Sequence, residues 1–146
     1  MQVAGKLVGR EGCVVGVDLQ ELTPTLEMPN VRSIVGDFTD DLVIRSVMDA
    51  LGRKAEVVLS DAAPKTTGIK ATDRAKEETL LQSVVSTLPN VLDKGGDFLM
   101  KLLDCPEAQH ISNDLRTSFD RTTGIGLKAT RKGSKERYFL ARGYRG

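Results

Sequence analysis

Val57-Val58-Leu59-Ser60-Asp61-Ala62-Ala63-Pro64 constrains the fold of this chain more than any other stretch. A short apolar run between Ala55-Glu56 and a cluster of turn-forming residues reads as a buried parallel strand, because such strands are covered on both faces and need no polar alternation. Its carboxyl end delivers Asp61, and Pro64 fixes the path by which the chain leaves. In open α/β sheets ligands bind in the crevice beyond the carboxyl ends of the strands. Asp61, followed by the polar and basic stretch Lys65-Thr66-Thr67-Gly68-Ile69-Lys70, therefore marks a candidate site. A lone aspartate at a strand end caps the next turn just as readily, so its companions decide between the two roles.

The pattern recurs. Residues 2 to 8 read as the last turns of a helix closed by Gly9, and Cys13-Val14-Val15-Gly16-Val17-Asp18 then forms a strand ending on an acid. An acid at the end of the second strand of a nucleotide-binding unit commonly receives ribose hydroxyls. Residues 31 to 38 form a third strand whose end carries Asp37 and Phe38. Thr39 is expected to cap the next helix, with Asp40 and Asp41 in its first turn and Ile44, Val47, Met48 and Leu51 on its apolar face before Gly52. Asp73 is expected to open a helix with Leu81, Val84, Val85, Leu88 and Leu92 on one face, kinked or ended by Pro89. Gly95-Gly96 then makes a turn into a strand over residues 97 to 103. Pro106 opens a last helix with Ala108, Ile111, Leu115 and Phe119 on one face, followed by strands over residues 123 to 130 and 136 to 142. Strand and helix alternate, which predicts an α/β fold with a mostly parallel sheet and an antiparallel strand near the C terminus.

Lys101 stands out. A cation in the apolar run Phe98-Leu99-Met100-Lys101-Leu102-Leu103 must find a partner or lose its proton, unless it lies on an edge and snorkels to water. Gly124 and Gly126 lack the flanks of a phosphate loop and receive no binding role.

Length and charge narrow the class. The 146 residues suit a single domain with a real core, and six aromatics without tryptophan make that core aliphatic. The net charge of +1 decides nothing, but its distribution is uneven. From Arg121 onward there are eight basic residues and one acid, Glu136, a balance of +7 that leaves −6 for the rest. Such asymmetry points to an anionic partner. Cys13 and Cys105 have no further Cys or His at ligand spacing, so they read as reduced and structural. That implies no metal and a cytoplasmic setting. His110, among polar neighbours on a helix, reads as a surface residue. No run approaches the ~20 apolar residues of a membrane span, and no signal-peptide pattern opens the chain.

Asp18, Asp37, Asp61, Lys101 and Glu136 all fall at strand ends that a doubly wound sheet brings together. In this arrangement the chain resembles the FtsJ-like S-adenosylmethionine-dependent ribose 2′-O-methyltransferases of ribosomal RNA. The resemblance rests on Val15-Gly16-Val17-Asp18-Leu19, Gly36-Asp37-Phe38, Leu59-Ser60-Asp61-Ala62-Ala63-Pro64, the Gly95-Gly96 turn with Phe98 leading into Lys101, and Arg131 through Tyr138. It implies a Rossmann-like methyltransferase sheet and a catalytic Lys-Asp-Lys-Glu set whose last three members fall on Asp61, Lys101 and Glu136. By the same resemblance, Asp18 holds the cofactor ribose, Asp37 and Phe38 contact the adenine, and Asp61 borders the cofactor. Lys65, Lys70, Arg131, Lys132 and Lys135 would hold ribosomal RNA, free or in the large subunit, by its phosphates. Few aromatics are available for base stacking, which favours recognition of RNA shape.

The family's first lysine, first strand and glycine-rich cofactor loop have no counterpart here, since Met1 aligns within the helix that follows that loop. The expectation is a single methyltransferase domain, N-terminally truncated relative to the family, in which the strands ending at Asp18 and Asp61 each keep an unpaired edge. Such edges invite pairing with another chain, though the sequence sets no oligomeric state. A second reading is a non-catalytic Rossmann-like module that binds RNA or assists ribosome assembly through its basic C-terminal edge.

Overall fold

Period-two alternation in the apolar runs and period-three-to-four spacing between them produce ten elements among the described residues of the computed structural model. It describes residues 1–23, 27–64, 67–103, 106–126 and 136–146, the side chains of residues 70, 103, 106–109 and 136 excepted. The architecture is mixed α/β, divided into one unit over Met1–Lys54 and another over Ala55–Gly146.

In the first unit, α1 (Gln2–Val8), β1 (Val14–Asp18), β2 (Val31–Val35) and α2 (Asp41–Leu51) follow in order. β1 and β2 pair in parallel from Val14 opposite Val31 to Asp18 opposite Val35. Gly5 of α1 lies so close to Val31 and Met28 that a Cβ there would fall 2.5 Å from the valine methyl. The guanidinium of the next residue, Arg32, donates to the carbonyl of Ala50 in α2 at 3.2 Å. Successive strand residues point to opposite faces, so α1 and α2 flank the strand pair on its two sides. The cap of α2 differs from expectation. Asp40, not Thr39, is the N-cap, its Oδ1 accepting the Leu42 N–H at 2.8 Å, while Thr39 turns back to Asp37. Gly52 closes the helix in the left-handed region, φ 72°, donating its N–H to Met48. β2 also ends at Val35, so Asp37 and Phe38 sit in the loop beyond the strand.

The second unit contains β3 (Ala55–Ser60), α3 (Lys70–Val91), β4 (Leu92–Leu103), α4 (Pro106–Ser118), β5 (Phe119–Ile125) and β6 (Glu136–Tyr144). Their strand order is β3-β4-β6-β5, with β3 and β4 parallel and β6 antiparallel to both β4 and β5. β4 is the axis. Phe98 and Met100 are fully buried and Leu102 nearly so, packed with Leu81, Val84 and Leu88 of α3 and Ile111 and Leu115 of α4 in the core. Phe139 and Ala141 of β6 lie opposite Met100 and Phe98 and extend the same layer. Phe119 stacks on Phe98 at 6.4 Å and meets Tyr144 at 5.1 Å between ring centroids.

Four boundaries depart from the sequence reading. α3 begins at Lys70, before Asp73, and Pro89 falls in its last turn, where the helix stops two residues later. Leu92 is buried as expected, but as the first residue of β4. Gly95-Gly96 lies inside that strand as a bulge: Ala55 faces Leu92 while Val57 faces Asp97, with Gly95 at φ 82°. β5 starts at Phe119, several residues before the expected position, so Phe119 enters the core from a strand. Residues 127 to 130 of the expected strand lie outside the described residues.

Asp73 does not open α3 but ties down the approach to it. Its Oδ1 accepts the Thr67 N–H at 2.6 Å and the Thr67 hydroxyl at 2.7 Å, and its Oδ2 accepts the Gly68 N–H at 3.1 Å. These bonds, the Thr67 amide first, hold the carboxyl below its ordinary value of 3.8. A lowered folded pKa makes the clamp complete above 3.8 and dissolves it as pH falls through the lower value. NMR titration of the Thr67 and Gly68 amides is expected to show a transition below pH 3.8, absent in Asp73→Ala. In the core, Phe98→Ala removes the ring at the centre of three contacting layers and is expected to cost about 3–5 kcal/mol in urea unfolding.

Candidate active site

The site begins with the phase of β4. Because Phe98, Met100 and Leu102 face the helices, Lys101 must face the other way. β4 lies between β3 and β6, so this lysine is not on an edge, and its side chain is only 18% exposed. The parallel register with β3 runs through Leu59 opposite Leu99 and Ser60 opposite Met100, and one further step brings Asp61 beside Lys101. Lys101 Nζ lies 2.8 Å from Asp61 Oδ1, and the Asp61 side chain is 75% exposed. A half-sequestered cation is thus held by a carboxylate that stands in water, at the carboxyl ends of two adjacent parallel strands. The requirement that Lys101 find a partner is met by Asp61.

The antiparallel register with β6 supplies the other flank. Tyr138 lies opposite Lys101, and Glu136 opposite Leu103. The Glu136 backbone therefore lies two residues before Tyr138 along β6, at the level where β4 ends. The structure brings Asp61 and Lys101 into contact and puts the Glu136 backbone on the adjoining strand. Tyr138, half-buried, was not singled out for a role from sequence. The spacing of two from Glu136 signals a shared face, but only the long-range pairing of β6 with β4 reveals that this face is that of Lys101.

Asp18 and Asp37 belong to the first unit, at the carboxyl ends of its paired strands. The Gly36 N–H donates to the Asp18 carbonyl at 2.8 Å, which locks the two ends together. Asp18 Oδ1 accepts the Gln20 N–H at 2.9 Å. Asp37 Oδ1 accepts the Thr39 N–H at 2.9 Å and its hydroxyl at 2.7 Å, and these bonds, the hydroxyl's first, lower the Asp37 pKa from 3.8. Both carboxylates are exposed, each held through one oxygen. This pair of acceptors would suit the nucleoside half of S-adenosylmethionine, whose ribose hydroxyls and adenine amine donate hydrogen bonds. Phe38 is half-buried beside Asp37.

Of the expected RNA-binding residues, Lys65, Arg131, Lys132 and Lys135 lie outside the described residues. Lys70 is the first residue of α3, directly after the segment that Asp73 clamps. Cys13 is free and exposed, just ahead of β1, and His110 is exposed on α4. Among the described residues no cluster of His, Cys, Asp and Glu has the make-up of a metal site, and no helix is long and apolar enough to cross a membrane.

Comparison with known proteins gives a consistent result. The profile of the FtsJ-like methyltransferase family matches residues 1–144. Ribosomal RNA large subunit methyltransferase E of Methanothermobacter thermautotrophicus is 38% identical over 145 residues, covering 99% of this chain and 68% of that protein. A ribosomal RNA methyltransferase of Plasmodium falciparum superposes with a TM-score of 0.84 at 22% identity, over 99% of this chain and 80% of the other. Human methyltransferase-like protein 13, in complex with SAH, superposes with a TM-score of 0.59 at 16% identity, over 90% of this chain and 61% of the other. The two structures share the fold. The profile match and the 38% identity show that this chain belongs to the FtsJ-like methyltransferases.

Proposed function

We propose that this chain acts as one methyltransferase domain that moves a methyl group from S-adenosylmethionine to the 2′-hydroxyl of a ribose in ribosomal RNA, with a large-subunit uridine as the target. The observation that carries the reading is the 2.8 Å contact between Lys101 and Asp61 at the carboxyl ends of β3 and β4. When bound, S-adenosylmethionine supplies a methyl group on a sulfonium, which needs a nucleophile in line and no metal.

The residues account for the nucleophile. A sugar hydroxyl is a poor one, and Lys101 takes or weakens its proton as the new bond to carbon forms. A lysine that keeps its proton instead stabilises the developing alkoxide by its charge, more strongly in a half-sequestered position than in bulk water. Asp61 holds the long lysine chain in one position, and Glu136 completes the orientation and charge balance. Asp18 accepts hydrogen bonds from the cofactor ribose, and Asp37 with Phe38 contacts the adenine. Lys65, Lys70, Arg131, Lys132 and Lys135 hold the RNA by its phosphates. A ribosomal RNA substrate and the cysteine usage fit a cytoplasmic enzyme.

Transfer of labelled methyl from S-adenosylmethionine to ribosomal RNA or large-subunit particles tests the reading. Lys101→Ala is expected to lower transfer by at least ~100-fold, the scale of general acid-base catalysis, while RNA binding changes little. Asp61→Asn leaves the lysine without its ionic anchor and is expected to give a smaller loss. Wild-type transfer by Lys101→Ala would sink the catalytic assignment. RNA binding without any transfer by the unmodified chain would favour the non-catalytic module instead.

A further inference from the structure

The face of the larger sheet that carries Lys101 continues away from the site, and its far end is cationic. Along β6, period two takes the chain from Tyr138 through Leu140 to Arg142. On β5 the matching residues are Ile125, Thr123 and Arg121, with Ile125 opposite Tyr138, Thr123 opposite Leu140 and Arg121 opposite Arg142. Arg121, Thr123, Leu140 and Arg142 line one shallow depression.

Two like charges directly opposite on neighbouring strands repel, so the pairing works against the sheet. Little in the fold relieves it. Arg142 reaches Asp97 only through Nε at 3.8 Å, with 58% of its side chain exposed. Arg121 makes no ion pair or side-chain hydrogen bond among the described residues and is exposed. Asp97 is also shared, its Oδ1 accepting the Gly143 N–H at 3.1 Å.

The local backbone keeps the arginines on this face. Strict alternation would place Phe119 with Arg121 and Tyr144 with Arg142, yet both aromatics are buried in the core. The break falls at Asp120 and Gly143. Gly143 has φ 71°, and a Cβ there would lie 2.7 Å from Asp120 Oδ2. The aromatic ends of β5 and β6 thus turn into the core while both guanidiniums stay outside.

We infer that Arg121 and Arg142 form a subsite for the phosphate backbone of the RNA substrate, on the strand that leads to Lys101. Guanidinium is the side chain suited to phosphate, because its planar fork offers paired donors and keeps its charge. From Tyr138 to Arg142 is four residues of strand, about 13 Å. That is about four nucleotides of a stacked strand at ~3.4 Å each, so the subsite holds RNA beyond the nucleotide being modified. The subsite rests on the reading of this chain as an RNA methyltransferase. It differs from the basic segments at 65–70 and 131–135 in lying on the sheet itself.

The test is RNA binding by the full chain across a salt series, read by fluorescence anisotropy with a labelled ribosomal RNA fragment. Arg121→Gln/Arg142→Gln is expected to weaken binding at least ~10-fold near 0.1 M salt. It should also flatten the slope of log K against log salt by about 1.4, the share of two single-strand phosphates. Arg121→Lys/Arg142→Lys keeps the charges without the fork and should restore most of the slope. Thermal unfolding is expected to show the glutamine variant no less stable than wild type. If that variant is destabilised, the lysine variant decides by whether its slope matches wild type. An unchanged affinity and slope in the glutamine variant would overturn the subsite while leaving the proposed reaction standing. A loss confined to ribosomal particles, with naked RNA bound normally, would also overturn it, since the patch would then face an acidic protein surface. Failure of the unmodified chain to bind RNA would instead remove the functional reading itself.

Discussion

The two-residue period of β4 is the constraint on which the larger unit depends. One phase of that strand buries Phe98, Met100 and Leu102 under α3 and α4, and the other phase has no choice but to present Leu99 and Lys101 on the opposite side. A lysine held at 18% exposure between two neighbouring strands loses much of its hydration, which is tolerable only with a counter-charge in reach. Parallel pairing with β3 provides it, because the register that aligns Leu59 with Leu99 also delivers Asp61 to Lys101. A one-residue slip would turn Asp61 away and set the uncharged Ser60 or Ala62 beside the half-buried cation. The ion pair is therefore both a product of the register and a reason for the register to be unique.

The fold was legible wherever a local pattern decided the outcome. Asp18 at the end of β1, the spacing of Leu81, Val84 and Leu88, and the cap glycine at 52 are features of a few consecutive turns, and each stands where the pattern put it, whereas Asp37 falls two residues past the end of β2. Legibility failed where distant partners compete. Thr39 is a good cap residue, but its hydroxyl is taken by Asp37 and the cap passes to Asp40. Asp73 suits a helix start, yet its carboxylate reaches back to Thr67 and Gly68, so the helix begins before it. Phe119 fits a helical face by spacing and packs in the core all the same, from a strand that one glycine, Gly143, turns inward. For the site, Asp61 and Lys101 could be read because each ends or interrupts an apolar run. Tyr138 could not, since its nearness to Lys101 exists only through the pairing of β6 with β4.

The outer side of β3 shows the opposite balance. Among the described residues β3 pairs with β4 alone, and Val57 and Leu59 are 56% and 61% exposed. Apolar surface left in water forgoes about 25 cal/mol per Å² of stabilisation, so this strand adds less to the unit than its composition could supply. With no lysine or proline in the strand to blunt it, the edge carries little protection against pairing with another strand. β3 nonetheless stays in register, because its inner side is fixed by β4.

One sheet therefore carries two opposed surfaces. The face under α3 and α4 is apolar and closed, and it secures the fold. The other face gathers charges that lie outside that core: Lys101 with its exposed partner, and Arg121 beside Arg142. Like charges across a strand pair weaken a sheet, and a half-buried lysine weakens it further unless it is anchored. Stability alone would select neutral residues at these positions, since none of them belongs to the buried core. Their presence on a single face, aligned along β4, β5 and β6, is what the RNA path inferred above requires, with its end at Lys101.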